Sequence, residues 1–489
     1  MWTTTWRDET WSHLSDPWDV LIIGGGITGA GILREAVRLG LRALLVEQRD
    51  FAWGTSSRSS KLVHGGLRYL AQGRLTLTRS AVRERERLLA EAPGLVRPQS
   101  FLLPVYRGQT TWPYRIGLWA YDRLAGRHTR ERYDAAAALQ REPALAHPAL
   151  SGAFGYADAR TDDARLVLRL ILDAVREGAF ALNYAPVTGF LTDRDGAVAG
   201  VTCTDETTGS FHRVRARVVV NAAGAWCDQV RGFLGLAPVL RPLAGSHLVF
   251  PAARLPLGTG VNLIHPRDGR PLYAFPWEGV TLVGTTDLDH RGPLAEPVIT
   301  DGEQEYLLEA VRTFFPSLGL EARDIRAVFA GVRPVVGTGR RDPSRESREM
   351  FLREEKKLIT VTGGKLTTFR LLALKALDLA GARLGRDIAF PGRVLTGGPE
   401  GDDTEAVPGT VYTWGRVARA ATEMVVHLDD LCLRRLRLGL VLPGGGSEQL
   451  ERIGSVVRPL LGWDETRWRE ERDRYLGLIA RAYRPLGGK

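Results

Sequence analysis

Several basic residues, far apart in the chain, have the types and settings needed to bind an anion. Arg333 lies in a Gly-Val-Arg-Pro segment, Lys365 follows a glycine pair, and Arg68 precedes Tyr69. A guanidinium in a rigid turn suits an oxyanion, and a lysine supplies a point charge for a phosphate. His247, with an unperturbed pKa of about 6.5, could accept a proton. These residues predict proton removal from an anionic substrate. The alternatives are that Arg333 is an ordinary surface arginine and that His247 is a core histidine hydrogen-bonded to backbone.

A glycine-rich turn must position that chemistry. Residues 19–23 form an apolar run, and Gly24, Gly26 and Gly29 then fit G-x-G-x-x-G at the start of a helical pattern. Such glycines allow a tight turn, close approach of a pyrophosphate and close packing of the helix. Glu47 ends the next apolar run 18 positions after Gly29, near the usual place of the ribose-binding carboxylate. A glycine turn without nucleotide is the alternative, and the agreement of all these elements favours a nucleotide.

A hydroxyl-rich loop follows this unit. Residues 55–60 contain five hydroxyl side chains and precede Lys61, which suits a loop around a pyrophosphate, although composition alone also fits a solvated loop. The strand at residues 215–220 opens onto small residues, which let the chain pass close to a nucleotide.

Residues 272–277 and 280–287 predict a hairpin on the substrate side. Residues 112–124 combine aromatic and basic side chains, as in a helix that contacts lipid headgroups or a core helix with a basic rim.

Composition restricts the classes of function. The 489 residues allow two or three domains, and a net charge of +10 suits an anionic substrate or lipid. No Lys/Arg block or nucleic-acid motif occurs, so we expect no nucleic-acid partner. Three scattered cysteines argue against a metal site and indicate a reducing compartment. Without a signal-peptide pattern or an apolar run of 18 residues, we expect a cytoplasmic protein or one on a membrane surface.

The motifs together resemble one family. The segments TSSRSSK (residues 55–61) and HGGLRY (64–69), joined to the glycine turn, resemble the FAD-dependent glycerol-3-phosphate dehydrogenases, a branch of a flavoprotein group with D-amino-acid and glycine oxidases. AGSH (244–247), GVRP (331–334), GGKLTT (363–368) and residues 424–438 are similar to the family as well. The family has more helices before that last motif, so the C-terminal domain looks shortened.

The resemblance implies an α/β fold: a Rossmann-like FAD-binding domain, a β-rich substrate domain and a small C-terminal helical domain. The predicted divisions are a polar tail at 1–16, a discontinuous FAD-binding domain at 17–95, 151–235 and 325–390, a substrate domain at 96–150 and 236–324, and a helical domain at 396–489.

The resemblance also implies residue roles. His247 and Arg333 are the expected catalytic residues, and substrate is expected to contact Arg68, Tyr69, Lys365 and Thr286. The expected FAD contacts are Gly24, Gly26, Thr28, Gly29, Glu47, Thr55, Ser56, Ser57, Ser60, Lys61, His64, Gly65, Gly66, Leu67, Val187, Ala223, Gly224, Trp226, Gly331, Gly364, Lys365, Leu366 and Thr367. Sequence alone does not divide the alkoxide and phosphate roles among the cations.

The implied reaction is oxidation of sn-glycerol 3-phosphate to dihydroxyacetone phosphate, with hydride passing to FAD and electrons to a quinone. The family's members imply a peripheral position on the inner face of the cytoplasmic membrane and allow a homodimer. Alternatives are an oxygen-linked glycerophosphate oxidase, an amine or amino-acid oxidase in which Arg333 holds a carboxylate, and a flavin-binding or membrane-adaptor protein without turnover.

Overall fold

The computed structural model describes residues 6–15, 17–67, 70, 74–126, 130–339, 346, 350–388, 392, 395 and 404–487. The predicted substrate contacts Arg68 and Tyr69 lie outside these residues. The strands are β1 Trp18–Ile23, β2 Ala43–Val46, β3 Val96–Tyr106, β4 Glu131–Asp134, β5 Leu150–Thr161, β6 Phe180–Leu182, β7 Val187–Thr192, β8 Val198–Thr204, β9 Phe211–Asn221, β10 Leu240–Pro251, β11 Gly260–Ile264, β12 Pro271–Trp277, β13 Val280–Gly284, β14 Leu288–Asp289, β15 Ala327–Val336, β16 Met350–Glu355 and β17 Leu358–Gly363.

The α-helices of six or more residues in this part of the chain include several that begin at side-chain caps. Asp162 accepts a hydrogen bond from the Arg165 amide, and Thr300 forms a capping box with Glu303. The bounds are α1 Trp6–Ser12, α2 Ile27–Arg38, α3 Leu75–Glu91, α4 Trp112–Ala125, α5 Ala135–Arg141, α6 Asp163–Arg176, α7 Cys227–Gly232, α8 Asp301–Phe314, α9 Phe369–Leu384, α10 Trp414–Ala421, α11 Leu450–Leu461 and α12 Glu465–Ala482.

The first sheet contains the predicted nucleotide-binding unit. Its order is β16-β17-β9-β1-β2-β6, with β7 and β8 added beside β9. β1 pairs in parallel with both β2 and β9, so Val20 lies between Ala43 and Val218. Helices α2, α6 and α9 cover one face, while the β7–β9 meander and the residues around α1 cover the other. Because both faces are buried, β1 and β2 are nearly continuous apolar runs, as the sequence predicted.

The second sheet has the order β14-β10-β13-β12-β11-β3-β5-β4, with β15 beside β10. Helix α8 packs on one face, and the C-terminal helices pack on the other. The alternation along β10 sends Leu248 and Phe250 to the first face and Val249 to the second. The predicted hairpin at 272–287 is confirmed, because β12 and β13 pair antiparallel.

The predicted division of the chain needs a correction in two places. Strand β5 beyond Leu150 and the whole of β15 fall in segments assigned to the FAD-binding domain, yet both strands belong to the second sheet. Each is followed by chain that returns to the first sheet, so these strands carry residues from one sheet to the other. The remaining domain boundaries stay a prediction. Among the described helices, none combines the length and the apolar character needed to cross a bilayer.

Candidate functional site

The glycine turn between β1 and α2 opens onto a long cleft. A Cβ on Gly24 would lie 2.6 Å from the carbonyl oxygen of Ala222, and one on Gly29 would overlap the Gly24 carbonyl. These two glycines therefore let β1, β9 and α2 approach one another. Gly24 and Gly26 both line the cleft, and a Cβ on Gly26 would meet only Ser56 Oγ, at 3.1 Å. The helix N-terminus and this bare backbone fit the pyrophosphate of a dinucleotide.

Glu47 lies where the cleft would receive a ribose. Its carboxylate accepts hydrogen bonds from the amides of Gly25, at 2.6 Å, and Arg49, at 2.9 Å. Desolvation nevertheless raises the pKa of Glu47 to about 7, against the lowering effect of those amides. A hydroxyl donor from a ligand would favour the ionised form. The carboxylate is thus held in place by backbone while it still faces the cleft.

The hydroxyl-rich loop contributes only part of its side chains to the cleft. Thr55, Ser56 and Ser60 line it, and Ser56 Oγ also accepts the Ile27 amide hydrogen bond at 2.9 Å. Ser57 turns toward the loop's own backbone, where its hydroxyl lies 3.4 Å from the Trp53 carbonyl oxygen. The predicted contact between Ser57 and the cofactor is therefore corrected.

Lys61 requires the largest correction. Its side chain has no solvent exposure, and its Nζ lies 2.9 Å and 3.1 Å from the two carboxylate oxygens of Asp163. Burial lowers the pKa of Lys61 to about 8, while the Asp163 carboxylate acts in the opposite direction. Arg437, from the C-terminal region, also donates to Asp163. Lys61 stabilises the loop from behind and does not reach the cleft.

The remaining predicted cofactor contacts separate into two sets. Gly29 and Gly65 are packed against protein: the Gly65 amide donates to Asp158 at 2.9 Å, and a Cβ there would overlap the Tyr121 hydroxyl. These two are corrected from cofactor contacts to packing positions. The predicted residues that do line the cleft are Gly24, Gly26, Thr28, Glu47, Thr55, Ser56, Ser60, His64, Gly66, Leu67, Val187, Ala223, Gly224, Trp226, Gly331, Gly364, Lys365, Leu366 and Thr367.

At the far end of the cleft, Arg333 is held by a carboxylate and a turn. Its guanidinium donates to Asp287 at 3.0 Å, to the Thr286 carbonyl at 3.1 Å and to Thr285 Oγ1 at 2.9 Å. A Cβ on Gly245 would overlap the guanidinium, so glycine at 245 makes room for it. The Arg333 side chain keeps 20% exposure and lines the cleft. It is oriented by protein and still accessible to a ligand.

Arg270 is a site residue that the sequence did not reveal. Its guanidinium lies 3.5 Å from the second oxygen of Asp287, keeps 19% exposure and lines the same end of the cleft. Arg270 directly precedes β12, the first strand of the hairpin that the sequence predicted on the substrate side. No motif surrounds it, and the pairing of β12 with β13, of β13 with β10 and of β10 with β15 brings it near Arg333. A basic residue at the start of that hairpin was the available signal.

Thr286 supports the site from behind. It is 3% exposed, and its hydroxyl donates to the buried carboxylate of Glu303 at 2.7 Å. The same oxygen accepts the Ser246 amide hydrogen bond at 2.8 Å. Thr286 therefore does not reach a substrate with its side chain, which corrects that prediction, but its carbonyl helps to fix Arg333.

The two histidines near this end differ in access. His64 lines the cleft, whereas His247 is 2% exposed and does not. The Nε2 of His247 lies 2.9 Å from Ser60 Oγ, and its ring stacks on Phe329 at 4.6 Å. Burial, with the charges of Arg333 and Lys61 adding to it, holds the pKa of His247 well below 6.5. Because the ring is buried and its Nε2 meets Ser60 instead of the cleft, the geometry argues against direct proton transfer from a substrate to His247.

The comparisons with known proteins agree with this geometry. Residues 19–370 match the family model described as FAD dependent oxidoreductase. The aerobic glycerol-3-phosphate dehydrogenases of Staphylococcus haemolyticus (strain JCSC1435) and Staphylococcus aureus (strain MRSA252) are each 39% identical over 381 residues, which is 76% of this chain and 68% of theirs.

Solved structures extend the similarity. The glycerol-3-phosphate dehydrogenase from Bacillus halodurans, complexed with FAD, superposes with a TM-score of 0.77 at 28% identity and covers 98% of this chain and 97% of its own. The L-alpha-glycerophosphate oxidase from Mycoplasma pneumoniae, with FAD bound, gives a TM-score of 0.63 at 19% identity over 79% of this chain and 100% of its own. The latter is a likeness of fold.

Proposed function

The chain belongs to the FAD-dependent oxidoreductase family, with aerobic glycerol-3-phosphate dehydrogenases among its relatives, and we propose that it oxidises sn-glycerol 3-phosphate to dihydroxyacetone phosphate. The observation that carries the proposal is the pair Arg333 and Arg270, fixed by one carboxylate at the end of a dinucleotide cleft. An anionic alcohol bound there lies beside the cofactor site.

The cleft fits FAD along its length. Gly24 and Gly26 leave bare backbone for the pyrophosphate, and Glu47 faces the ribose position. Gly363 and Gly364 both have positive φ, of +77° and +72°, and lead into the helical turn that continues as α9. When bound, FAD supplies the isoalloxazine ring that accepts a hydride. The N-terminus of α9 would stabilise negative charge on a flavin bound beside it by about 0.3 to 2 kcal/mol.

The cations of the cleft bind the phosphate and polarise the reacting alcohol. Arg270, Arg333 and Lys365 line the same cavity. A phosphate dianion matches the fork of a guanidinium, and the ammonium of Lys365 adds a point charge. Asp287 orients both arginines and prevents their forks from turning away. In this proposal the arginines select a phosphorylated substrate over an uncharged alcohol.

His64 removes the proton from the substrate hydroxyl in this proposal. Of His64 and His247, only His64 lines the cleft. His247 acts as a positioning residue, because its Nε2 fixes Ser60 Oγ at the cleft wall. In single-turnover flavin reduction, we expect His64→Gln to flatten the pH dependence of the rate, while His247→Gln lowers the rate and keeps the pH dependence. The reverse pattern would restore His247 as the base.

Helix α4 supports a further proposal, that the enzyme docks on an anionic membrane surface and delivers electrons to a quinone. Trp112, Ile116 and Trp119 are 62%, 55% and 52% exposed and recur at helical spacing. Arg115 and Arg123 are exposed on the same helix and complement anionic headgroups. Flotation with phosphatidylglycerol vesicles tests this: Trp112→Ser with Trp119→Ser should abolish binding, and unchanged flotation would reject it.

Anaerobic mixing tests the substrate assignment. The FAD-loaded protein should lose its yellow absorbance with sn-glycerol 3-phosphate and form dihydroxyacetone phosphate. Glycine and sarcosine should leave the spectrum unchanged. Bleaching by either amine instead would indicate an amine oxidase, and no bleaching by any of the three would reject the proposed reaction.

A further inference from the structure

A second cavity, separate from the dinucleotide cleft, lies where α6, α10 and the ends of β3 and β5 meet. Its volume is about 550 Å³, within the roughly 300–1,000 Å³ typical of small-molecule pockets. Arg97, Arg160 and Arg416 line it, with Glu278 from the β12–β13 turn, and none of the four lines the dinucleotide cleft. This cavity has no role in the chemistry described above.

The sheet register places two of these arginines directly opposite each other. Arg97 of β3 faces Arg160 of β5 as a cross-strand pair. Like charges at directly opposed positions of an antiparallel pair are destabilising, because their Cβ atoms lie only about 4.5–5.5 Å apart. An anion between the two guanidinium groups would convert this repulsion into attraction. A bound anion would therefore offset the repulsion between the two arginines.

None of the three arginines has an acidic partner within 4.0 Å in the described part of the chain. Arg97 Nε donates to the Gly94 carbonyl at 2.7 Å, Arg160 donates to the Pro276 carbonyl, and Arg416 lies 5.0 Å above the Tyr412 ring. These contacts orient the side chains and neutralise no charge.

Other arginines of the same cavity wall are neutralised. Arg165 pairs with Glu423, and Arg169 pairs with Asp173 at 2.9 Å. Burial lowers the pKa of Arg160, and the charge of Arg97 lowers it further, while Glu278 opposes both. The three guanidinium groups therefore share the field of one carboxylate, Glu278, whereas the neighbouring arginines each have a paired acid.

We propose that Arg97, Arg160 and Arg416 form a binding site for a phosphate or phosphomonoester dianion. The other acids that line the cavity, Glu91, Asp162 and Glu423, pair with Arg87, Arg437 and Arg165. The three arginines together with Glu278 then carry a net charge of two, which matches that dianion. The planar forks of the arginines suit its oxygens. Arg416 comes from the C-terminal region and the other two from the second sheet, so the anion ties these parts of the chain together.

Thermal unfolding of the FAD-loaded enzyme in phosphate, against sodium chloride at the same ionic strength, tests the site. Phosphate should raise the Tm of the wild type, and Arg97→Gln and Arg160→Gln should each lose most of that rise. Arg97→Gln should also raise the Tm without phosphate, because it removes the like-charge pair. Glu278→Gln should enlarge the response to phosphate, since it removes the repelling carboxylate.

Arg169→Gln is the matched control, because Arg169 lies on the same wall and is already paired with Asp173; its phosphate response should equal that of the wild type. Phosphate bound in the substrate cleft would contribute equally to wild type and variants, so the difference reports the second site. An equal phosphate response in wild type, Arg97→Gln, Arg160→Gln and Glu278→Gln would overturn the proposal.

The source of the phosphate group is resolved by a second arm. Flotation with phosphatidic acid vesicles is compared between Arg97→Gln and the wild type. Arginine-dependent flotation assigns the site to a lipid headgroup, and an arginine-dependent Tm response without arginine-dependent flotation assigns it to a soluble phosphate. Either result supports the site. If the variants keep both the Tm response to phosphate and the flotation of the wild type, the proposal is contradicted.

Discussion

The cations around Asp163 and those around Asp287 show two different uses of the same ion-pair chemistry. Lys61 and Arg437 are 0% and 1% exposed and share the buried carboxylate of Asp163. Arg333 and Arg270 share Asp287, which is 1% exposed, but their own side chains keep 20% and 19% exposure. The carboxylates are equally buried, and the cations are not.

The difference separates support from binding. Asp163 accepts hydrogen bonds from Lys61, from Arg437 and from both the amide and the hydroxyl of Ser59, at 3.0 Å and 2.7 Å. The cations of that cluster are enclosed by protein and cannot reach a ligand. Asp287 instead orients two guanidinium groups that still face the cleft. A cation is therefore a candidate for substrate binding only where its carboxylate partner leaves part of it accessible.

The largest expected effect is at the buried centre. Asp163→Ala leaves Lys61 and Arg437 buried with their shared partner removed, which should cost about 3–5 kcal/mol of unfolding free energy and much of the bound FAD. Urea unfolding and the flavin content of the purified protein measure both. Glu405→Ala, which breaks the exposed pair with Arg452, is the control and should leave the urea midpoint nearly unchanged. Equal losses in both variants would remove the distinction between the clusters.

A smaller but more specific effect is expected at the cleft. Arg333→Gln removes a charged donor from the substrate, which should lower kcat/KM for glycerol 3-phosphate by about 10- to 200-fold, the equivalent of about 1.5–3 kcal/mol. The Tm should change little because the side chain is partly exposed. Steady-state kinetics and thermal unfolding of the same preparation check this. A stable variant with unaltered kcat/KM would contradict the substrate role.

The two lysines provide a matched pair that sharpens the comparison. Lys365→Met should raise the KM for glycerol 3-phosphate by about tenfold with little loss of stability, as expected for about 1.4 kcal/mol of lost binding. Lys61→Met should lower the Tm and leave the KM of the FAD-loaded fraction within about twofold, since it leaves Asp163 without one of its partners. Kinetics normalised to flavin content distinguish the two. Interchanged results would mean that burial does not predict the roles.

The smallest expected effect concerns Glu47. Its carboxylate faces the cleft, whereas that of Asp163 is enclosed by protein. Burial raises the pKa of Glu47 to about 7, so a proton on this carboxylate competes with ligand binding below that pH. Ribose hydroxyls donate to the ionised form, so FAD binding releases this proton and the affinity should rise severalfold from pH 6 to pH 8. Titration of the apoprotein with FAD by flavin fluorescence measures it. Glu47→Gln should flatten this dependence, and a dependence that persists would assign it to another group.

Local sequence patterns predicted the first sheet and much of the cleft. The glycine turn, the acid of Glu47 and the strand that opens onto Ala223 and Gly224 act within short stretches of chain, and the structure places all of them along one cleft. The hairpin at residues 272–287 follows from alternation in the same way. The fold class and the family were therefore accessible from the sequence.

Long-range partners explain what the sequence did not predict. Lys61 is turned inward by Asp163, 102 positions away, and by the cluster that Arg437 joins. His247 is separated from the cleft by Ser60, 187 positions away. Arg270 joins the site through the sheet pairing of β12, β13, β10 and β15. In each case the burial and the pairing that decide the role of the residue come from distant parts of the chain.

The most direct test of the account compares anaerobic flavin reduction by sn-glycerol 3-phosphate and by glycerol. The wild type should be reduced along a saturating curve with glycerol 3-phosphate and at least about a hundredfold less efficiently with glycerol, because two charged contacts to phosphate are lost. Arg270→Gln should retain its FAD and lose about tenfold of that preference. Equal reduction by both alcohols, or a preference that Arg270→Gln leaves unchanged, would contradict the claim that the exposed cations around Asp287 bind the phosphate.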